Sequence, residues 1–374
     1  MKNQYHSSTR FADPRMIFRQ LFDTTSCTYS YLLASRRGGE ALIIDPVLDQ
    51  VNRYLEILEE LDLELVKAVD THLHADHATG LGALRDRTRC VTVMGEQTTA
   101  DVVGMRVHEG DRLRCDGIKA DVIYTPGHTD DSYSFLFGDR VLTGDTLMIG
   151  GTGRCDFQNG DAAAQYDSIF NKLLRLPDDT LVFPAHDYKG DMVSTIGEER
   201  NSNPRLQVGS AEEYEELMNG LDLPPPRLMD VVVPTNRSIG LEQKALAERG
   251  CAVTPSQFLQ TIASPDAMVV DLRENHERAR GGAVEGSINI PYSSLKPALQ
   301  AGGSLKRRLS GFDGRVIFVC SYGEVSAMAV AVANDRGWSN CCHLTGGLNG
   351  WLAPGLSHSS ESGSSESEPE RISS

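Results

Sequence analysis

Apolar positions in the first half of the chain change period several times. "IFRQLF" and "CTYSYLLAS", within residues 16–35, alternate apolar and polar side chains, the two-residue period of β-strands. "EALIIDP" (40–46) is a continuous apolar run and predicts a buried strand. "VNRYLEILEELDL" (51–63) carries apolar residues at helical spacing and predicts an amphipathic helix. Four short apolar runs then repeat one arrangement. "LVKAV" (65–69) leads into His72, "DVIYT" (121–125) into His128, "RVLTG" (140–144) into Asp145 and "TLVF" (180–183) into His186. Strand ends are rigid platforms with exposed loops, so side chains delivered from four of them suit convergence on one site.

The pattern changes after residue 200. "LPPPR" (223–227) and the short apolar stretch "MDVVVP" (229–234) read as the end of a first domain plus a connector. A new unit opens at Thr254, a candidate helix N-cap, with Pro255 at the first helical position and Gln257 completing a capping box. "AMVVDLR", "GSINIP", "RVIFVC" and "CCHLTGG" read as strands, with "SAMAVAVANDRG" as a helix between the last two. Alternating strands and helices predict a small parallel α/β sheet. The stretch 355–374, "GLSHSSESGSSESEPERISS", is Ser- and Glu-rich without aromatics and predicts disorder. The expected organisation is a first domain over 1–245, with its connector from about 223, a second over 254–354, and a tail over 355–374.

Composition narrows the function classes. Length predicts two to three domains, and 40% hydrophobic with 24% charged residues is ordinary for a soluble globular protein. No apolar run reaches the ~20 residues of a membrane helix. The net charge of −16 argues against nucleic acid as a partner. The N-terminus lacks a secretory apolar core, although its Arg and Ser leave a short transit peptide open. The eight cysteines form no CxxC pair, so thiols in a reducing cytoplasm are expected. A homo-oligomer is compatible with all of this.

"THLHADH" puts His72, His74, Asp76 and His77 within six positions, directly after a strand. Structural zinc wants a closed tetrahedral set, usually with cysteines, and no cysteine adjoins these residues. A catalytic metal site is therefore expected. Together with "PGHT" (126–129), "TGDTL" (143–147) and "PAHDY" (184–188), the stretch resembles the metallo-β-lactamase superfamily, whose fold is a four-layer αββα sandwich. Hydrolases of that fold, such as glyoxalase II, imply two Zn(II) ions. One would take His72, His74 and His128; the other would take Asp76, His77 and His186, with Asp145 bridging. "QLFDTTSCTYSYLL", "IIDPVLD", "GTGRCDFQNG", "PAHDYKG" and "STIGEERNSNPRL" are similar to the persulfide dioxygenase branch instead. That resemblance implies one Fe(II) per chain on His72, His128 and Asp145, a two-His, one-carboxylate face with open positions. His74, Asp76, His77 and His186 would then orient the ligands. Tyr188 and Arg205 would meet the thiol carrier, and Arg154 with Asp156 would form a buried structural pair. Implied reactants are a small thiol persulfide, most simply glutathione persulfide, and O₂, with sulfite as product. Cys27 and Cys155 read as packed thiols.

"CSYGEVSAMA" (320–329) ends an apolar strand in a cysteine, follows it with a loop of six residues, and then starts a helix. Backbone N–H groups and the helix N-terminus would point at the sulfur and lower its pKa. "VVDLRENHE", "GSINIPY", "CSYGEVS" and "GGLNGW" together resemble a single rhodanese domain. The resemblance implies that Cys320 carries sulfane sulfur, cradled by Ser321, Tyr322, Gly323, Glu324 and Val325, with Asp271 and Arg273 as scaffold. Many such domains have Arg where Val325 stands, and Glu324 adds negative charge, so weak use of thiosulfate with cyanide is expected. The whole is similar to a persulfide dioxygenase–rhodanese fusion of sulfide detoxification, interconverting persulfide, sulfite and thiosulfate. The rival expectation is a binuclear zinc thioester hydrolase carrying a persulfide-binding module.

Overall fold

The computed structural model describes residues 16–221, 223–224, 229–240, 247, 250–262 and 264–351. The predicted tail at 355–374 lies outside the described residues. The chain forms two compact units, 1–241 and 242–374. Among the described residues, no helix is long and apolar enough to cross a membrane.

The first unit is built on two six-stranded sheets. One runs β1 (Ile17–Asp23), β2 (Thr28–Ala34), β3 (Glu40–Ile44), β4 (Glu64–Val69), β5 (Val91–Gly95) and β6 (Met105–Val107), in that spatial order. The other contains β7 (Arg112–Cys115), β8 (Ile118–Tyr124), β9 (Tyr133–Phe137), β10 (Arg140–Gly144), β11 (Leu181–Pro184) and β12 (Ser194–Thr195), also in chain order. The sheets face each other: the rings of Phe18 on β1 and Phe183 on β11 are 4.8 Å apart. Outside the first sheet pack helices Val51–Glu60, Leu81–Thr88 and Met229–Arg237, through Tyr54, Leu58, Leu84 and Val233. Outside the second pack Ala162–Tyr166, Ile196–Ser202 and Ala211–Asn219, through Ala162, Ile196 and Tyr214. This is the four-layer αββα sandwich.

Burial explains where the alternating pattern misleads. All seven residues of β2 are buried, because the strand lies between a helix layer and the other sheet. Its polar side chains are therefore hydrogen-bonded. Ser30 donates to the Asp45 carbonyl (2.7 Å), and the Tyr31 hydroxyl donates to the Pro184 carbonyl (2.5 Å).

"MDVVVP" is not a connector; it begins the Met229–Arg237 helix. Val232, Val233 and Asn236 form its buried face at helical spacing, and Val233 joins the first core. Asn236 does more than fill space. Its amide donates to the His74 carbonyl (3.0 Å) and the His77 carbonyl (2.9 Å), and its oxygen accepts from Thr79 N–H (2.9 Å). A helix far along the chain thus holds the backbone of the loop after β4.

The second unit is a five-stranded all-parallel sheet in the order β13 (Ala252–Val253), β17 (Cys341–Leu344), β16 (Arg315–Val319), β14 (Ala267–Asp271) and β15 (Ile288–Asn289). "GSINIP" contributes only two strand residues to it. The capping box forms as expected: Thr254 N–H reaches Gln257 Oε1 at 2.9 Å, and Gln257 N–H reaches Thr254 Oγ1 at 3.4 Å. Phe258, Val269, Ile317, Leu344 and Trp351 fill the core on one side of the sheet.

Asn236→Ala leaves two carbonyls and one N–H in a buried place without their partner. The cost is on the order of 2 kcal/mol, which for a unit of this size lowers the melting temperature by about 4–8 °C. Calorimetry checks this; an unchanged transition would show that the loop does not depend on the helix.

Candidate metal centre and sulfur-carrier loop

Each candidate metal-binding side chain follows the end of a strand. β4 leads into the loop bearing His72, His74, Asp76 and His77; β8 leads to His128, β10 to Asp145 and β11 to His186. The structure brings ligand atoms of His72, His128 and Asp145 within 4.8 Å of one another, all three residues buried. The two imidazoles are oriented from behind. His128 Nδ1 lies 2.7 Å from the Arg154 carbonyl, which can only accept, so Nδ1 is the protonated nitrogen. His72 Nδ1 sits 3.0 Å from Thr71 Oγ1, whose hydroxyl donates to Asp45 Oδ2 at 3.1 Å. Both rings thus turn Nε2 forward as a lone-pair donor, and His128 Nε2 faces Asp145 Oδ2 at 3.5 Å. Burial, reinforced by His74 and His128, holds His72 well below the usual histidine range and keeps it neutral. For Asp145, burial pushes upward, but His186, His128 and His72 outweigh it and keep the carboxyl ionised. Two oriented imidazoles with an ionised carboxylate fit a divalent cation. Gly153 allows the crowding: a Cβ there would stand 2.3 Å from the Asp145 carbonyl and 2.7 Å from His128 Nδ1.

The remaining four candidates form a network beside this face. His186 donates Nδ1–H to Asp145 Oδ1 (2.7 Å) and Nε2–H to Asp76 Oδ2 (2.8 Å). Burial disfavours its charge, but the two carboxylates raise its pKa well above the ordinary value. Asp76 Oδ2 also lies 2.8 Å from His77 Nδ1. His74 is turned away, with Nε2 at 3.1 Å from Asp45 Oδ1, and despite burial Asp45 raises its pKa to about 9. His74 Nδ1 and His77 Nε2 are buried without a hydrogen-bond partner.

Sequence reasoning missed the residues that hold this loop. Asp131 accepts Leu73 N–H at 3.2 Å, Gln158 donates to the Leu73 carbonyl at 2.9 Å, and Asn236 ties down His74 and His77. Thr28, the first residue of β2, places Oγ1 3.2 Å from Asp76 Oδ2, 3.3 Å from His77 Nδ1 and 3.1 Å from His186 Nε2.

The metal face opens into a cavity of about 710 Å³, lined by His128, Asp145, His186, Tyr188, Arg154 and Arg205 among others. The Tyr188 ring is 70% exposed and stacks on His186 at 5.9 Å, forming a lip. Arg205 binds the Thr152 carbonyl and, at 3.2 Å, Thr152 Oγ1, while burial lowers its pKa from the ordinary value. Arg154 and Asp156 pair at 2.6 Å, but they are not a buried pair: the Asp156 side chain is 52% exposed. Arg154 faces the cavity and also bonds the carbonyls of Leu223 and Pro224. Cys155 is a packed thiol, bonded to Gln165 Oε1 at 2.7 Å and pushed up to about 12 by burial.

In the second unit, Cys320 follows β16. The loop is three residues, Ser321 to Gly323, half the expected length, and the helix Glu324–Asn334 starts at once. Glu324 and Val325 are buried in its first turn. Gly323, with φ of 88°, makes the turn. Cys320 Sγ accepts from Gly323 N–H (3.2 Å) and Ser326 N–H (3.3 Å) and lies 3.4 Å from Ser326 Oγ. The expected fall in its pKa does not occur. Burial dominates these hydrogen bonds and raises the thiol above its ordinary value. Ser321 Oγ donates to Glu277 at 2.8 Å, and Arg273 forms a buried pair with Asp271 at 2.8 Å.

Comparison with known proteins follows the same division. The metallo-beta-lactamase superfamily profile matches residues 26–101 and 95–186, and the rhodanese-like domain profile matches 254–354. The mouse (Mus musculus) protein "Persulfide dioxygenase ETHE1, mitochondrial" is 42% identical over 230 residues, covering 61% of this chain and 90% of the relative. The crystal structure of ETHE1 from Myxococcus xanthus superposes with a TM-score of 0.58 at 50% identity, covering 59% of this chain and 98% of that one. A metallo-beta-lactamase from Staphylococcus aureus, at 24% identity and a TM-score of 0.56, covers 88% of this chain and 98% of its own, and shows the fold alone. A two-His, one-carboxylate face on an αββα sandwich, with a relative matched over nine-tenths of its length, decides the matter: the chain belongs to the persulfide dioxygenase family of the metallo-β-lactamase superfamily and carries a rhodanese-like domain behind it.

Proposed function

We propose that residues 1–241 oxidise a small thiol persulfide with O₂ and that residues 254–354 move sulfane sulfur through Cys320. The reaction is R–S–SH + O₂ + H₂O → R–SH + SO₃²⁻ + 2H⁺. The observation that carries it is the meeting of His72 with His128 and Asp145, the latter two lining a cavity that also presents Arg205 and Tyr188.

Fe(II), one per chain, would be held by His72, His128 and Asp145, and supplies the electron transfer that lets spin-paired sulfur react with triplet O₂. The chain's own residues do the rest. Arg154 and Thr71 fix the ring tautomers, and His186 holds Asp145 by its Oδ1, leaving Oδ2 toward the face. Arg205 gives the cavity a partly desolvated cation, suited to a carboxylate of glutathione through paired hydrogen bonds. The Arg154 charge is already matched by Asp156. Tyr188 offers an aromatic edge at the mouth. Sulfur leaves the first unit as sulfite. In the second unit, sulfite attacks the outer sulfur of a Cys320 persulfide, giving thiosulfate and the free thiolate: Cys–S–S⁻ + SO₃²⁻ → Cys–S⁻ + S₂O₃²⁻.

Asp145→Ala removes the only carboxylate of the face, so iron and persulfide-dependent O₂ uptake should both be lost. His186→Ala should keep iron with affinity weakened about 10–100-fold, the usual cost of losing a residue that orients a ligand. Metal analysis with an oxygen electrode checks both. Loss of a second metal in His186→Ala, with S-lactoylglutathione hydrolysis in the zinc-loaded wild type, would support the thioester hydrolase instead.

Cys320→Ser should leave O₂ uptake from supplied glutathione persulfide nearly intact. It should accumulate sulfite where the wild type makes thiosulfate. Thiol-specific labelling and chromatography measure the ratio; equal ratios in the two proteins would leave the second unit as a binding module.

A further inference from the structure

His72 follows β4 of one sheet and His128 follows β8 of the other, and one short turn is tied to both loops. Residues 157–160 close on themselves through Gly160 N–H, which donates to the Phe157 carbonyl at 2.9 Å. The two central residues, Gln158 and Asn159, have positive φ, 50° and 58°. Gly, Asn and Asp are the usual occupants of such turn positions, so Gln158 sits there against its preference. Its side chain supplies the reason. Gln158 Nε2 donates to the carbonyl of Leu73, the neighbour of His72, at 2.9 Å. The chain is also fastened on both sides of His128: Asn159 Nδ2 donates to Asp130 Oδ2 at 3.0 Å, and Asp161 N–H donates to the Gly127 carbonyl at 2.8 Å. An unfavourable backbone held by three such bonds beside two metal-binding histidines is the kind of strain that persists at working sites.

Phe157 heads this turn and reaches the histidine ring itself. The Phe157 and His128 centroids are 5.8 Å apart with the planes at 83°, an edge-to-face contact. The Arg154 guanidinium carbon lies 5.0 Å from the same Phe157 centroid, while the Arg154 carbonyl accepts from His128 Nδ1. Phe157 also packs against the core of the first sheet and lines the cavity.

We infer that Phe157 is a positioning residue for the metal centre, holding the plane of the His128 imidazole so that Nε2 stays on the metal face. The inference rests on the one-metal reading proposed above, in which His128 is one of three protein ligands. The hydrogen bond to Arg154 decides which nitrogen points backward, but it leaves the imidazole free to rock about that bond. A perpendicular ring packed against it removes that freedom. The strained turn is what keeps the Phe157 ring there.

The test is Co²⁺ binding by the full chain, stripped of metal and titrated, with visible absorption reporting ligand geometry alongside affinity. Phe157→Tyr keeps the ring and should match the wild type. Phe157→Ala should weaken Co²⁺ binding about tenfold, the lower end for losing a residue that orients a ligand. Phe157→Leu fills the space without a ring and should weaken it severalfold; in both the visible bands should shift. Thermal melting by circular dichroism separates folding from positioning, and Phe157→Leu decides the question if Phe157→Ala does not fold. A lower melting temperature with wild-type affinity and bands in Phe157→Leu would make Phe157 a packing residue and overturn this inference, leaving the one-metal reading standing. Two Co²⁺ equivalents in the wild type would overturn that reading and this inference with it.

Discussion

The buried carboxylate of Asp45 is the constraint on which the metal centre depends. It closes β3 with a φ of 51°, a left-handed conformation that Asp tolerates better than most residues. From there it takes Thr71 N–H on Oδ1 at 2.7 Å, the Thr71 hydroxyl on Oδ2 and His74 Nε2 on Oδ1. A buried carboxylate without donors would be costly; this one is matched on both oxygens. The consequences run forward. The Thr71 hydroxyl, committed to Asp45, can accept only from His72 Nδ1, so it fixes which His72 nitrogen faces the ion. His74, ion-paired with Asp45, is kept from swinging into the face. One carboxylate at the end of one strand sets the tautomer of one histidine and the direction of another.

Much of this was legible in the sequence because strand ends are legible. An apolar run followed by His or Asp places the side chain at a sheet edge, and four such runs in one chain point to one site. The parts that were not legible are polar residues that bind backbone. Asn236, Asp131 and Gln158 hold the "THLHADH" loop, yet a hydrogen bond to a carbonyl leaves no spacing signature. "MDVVVP" read as a connector because Pro234 and the preceding prolines signal a break. The structure accommodates Pro234 inside a nine-residue helix whose face is set by Val232, Val233 and Asn236. Tertiary burial there outweighs local preference.

The Cys320 loop shows a different limit. Sequence counts the donors correctly: a Gly turn and a helix start do aim N–H groups at Sγ. It cannot count the burial, and the thiol is 2% exposed. Desolvation acts on the charged form and here exceeds the hydrogen bonds, so the resting sulfur stays protonated. Arg154 and Asp156 fail in the opposite sense, because a charged pair two residues apart reads as buried only if the chain around it closes, and here it borders a cavity.

The two units treat charge in opposite ways, and that difference suits a sulfur relay. The first gathers ionised carboxylates, Asp145 and Asp76, around a place for a cation. The second offers N–H groups and a helix start to the Cys320 sulfur. A persulfide is a stronger acid than its parent thiol and carries its charge one S–S bond, about 2 Å, beyond Sγ. A buried, protonated thiol resists oxidation while it carries no sulfur.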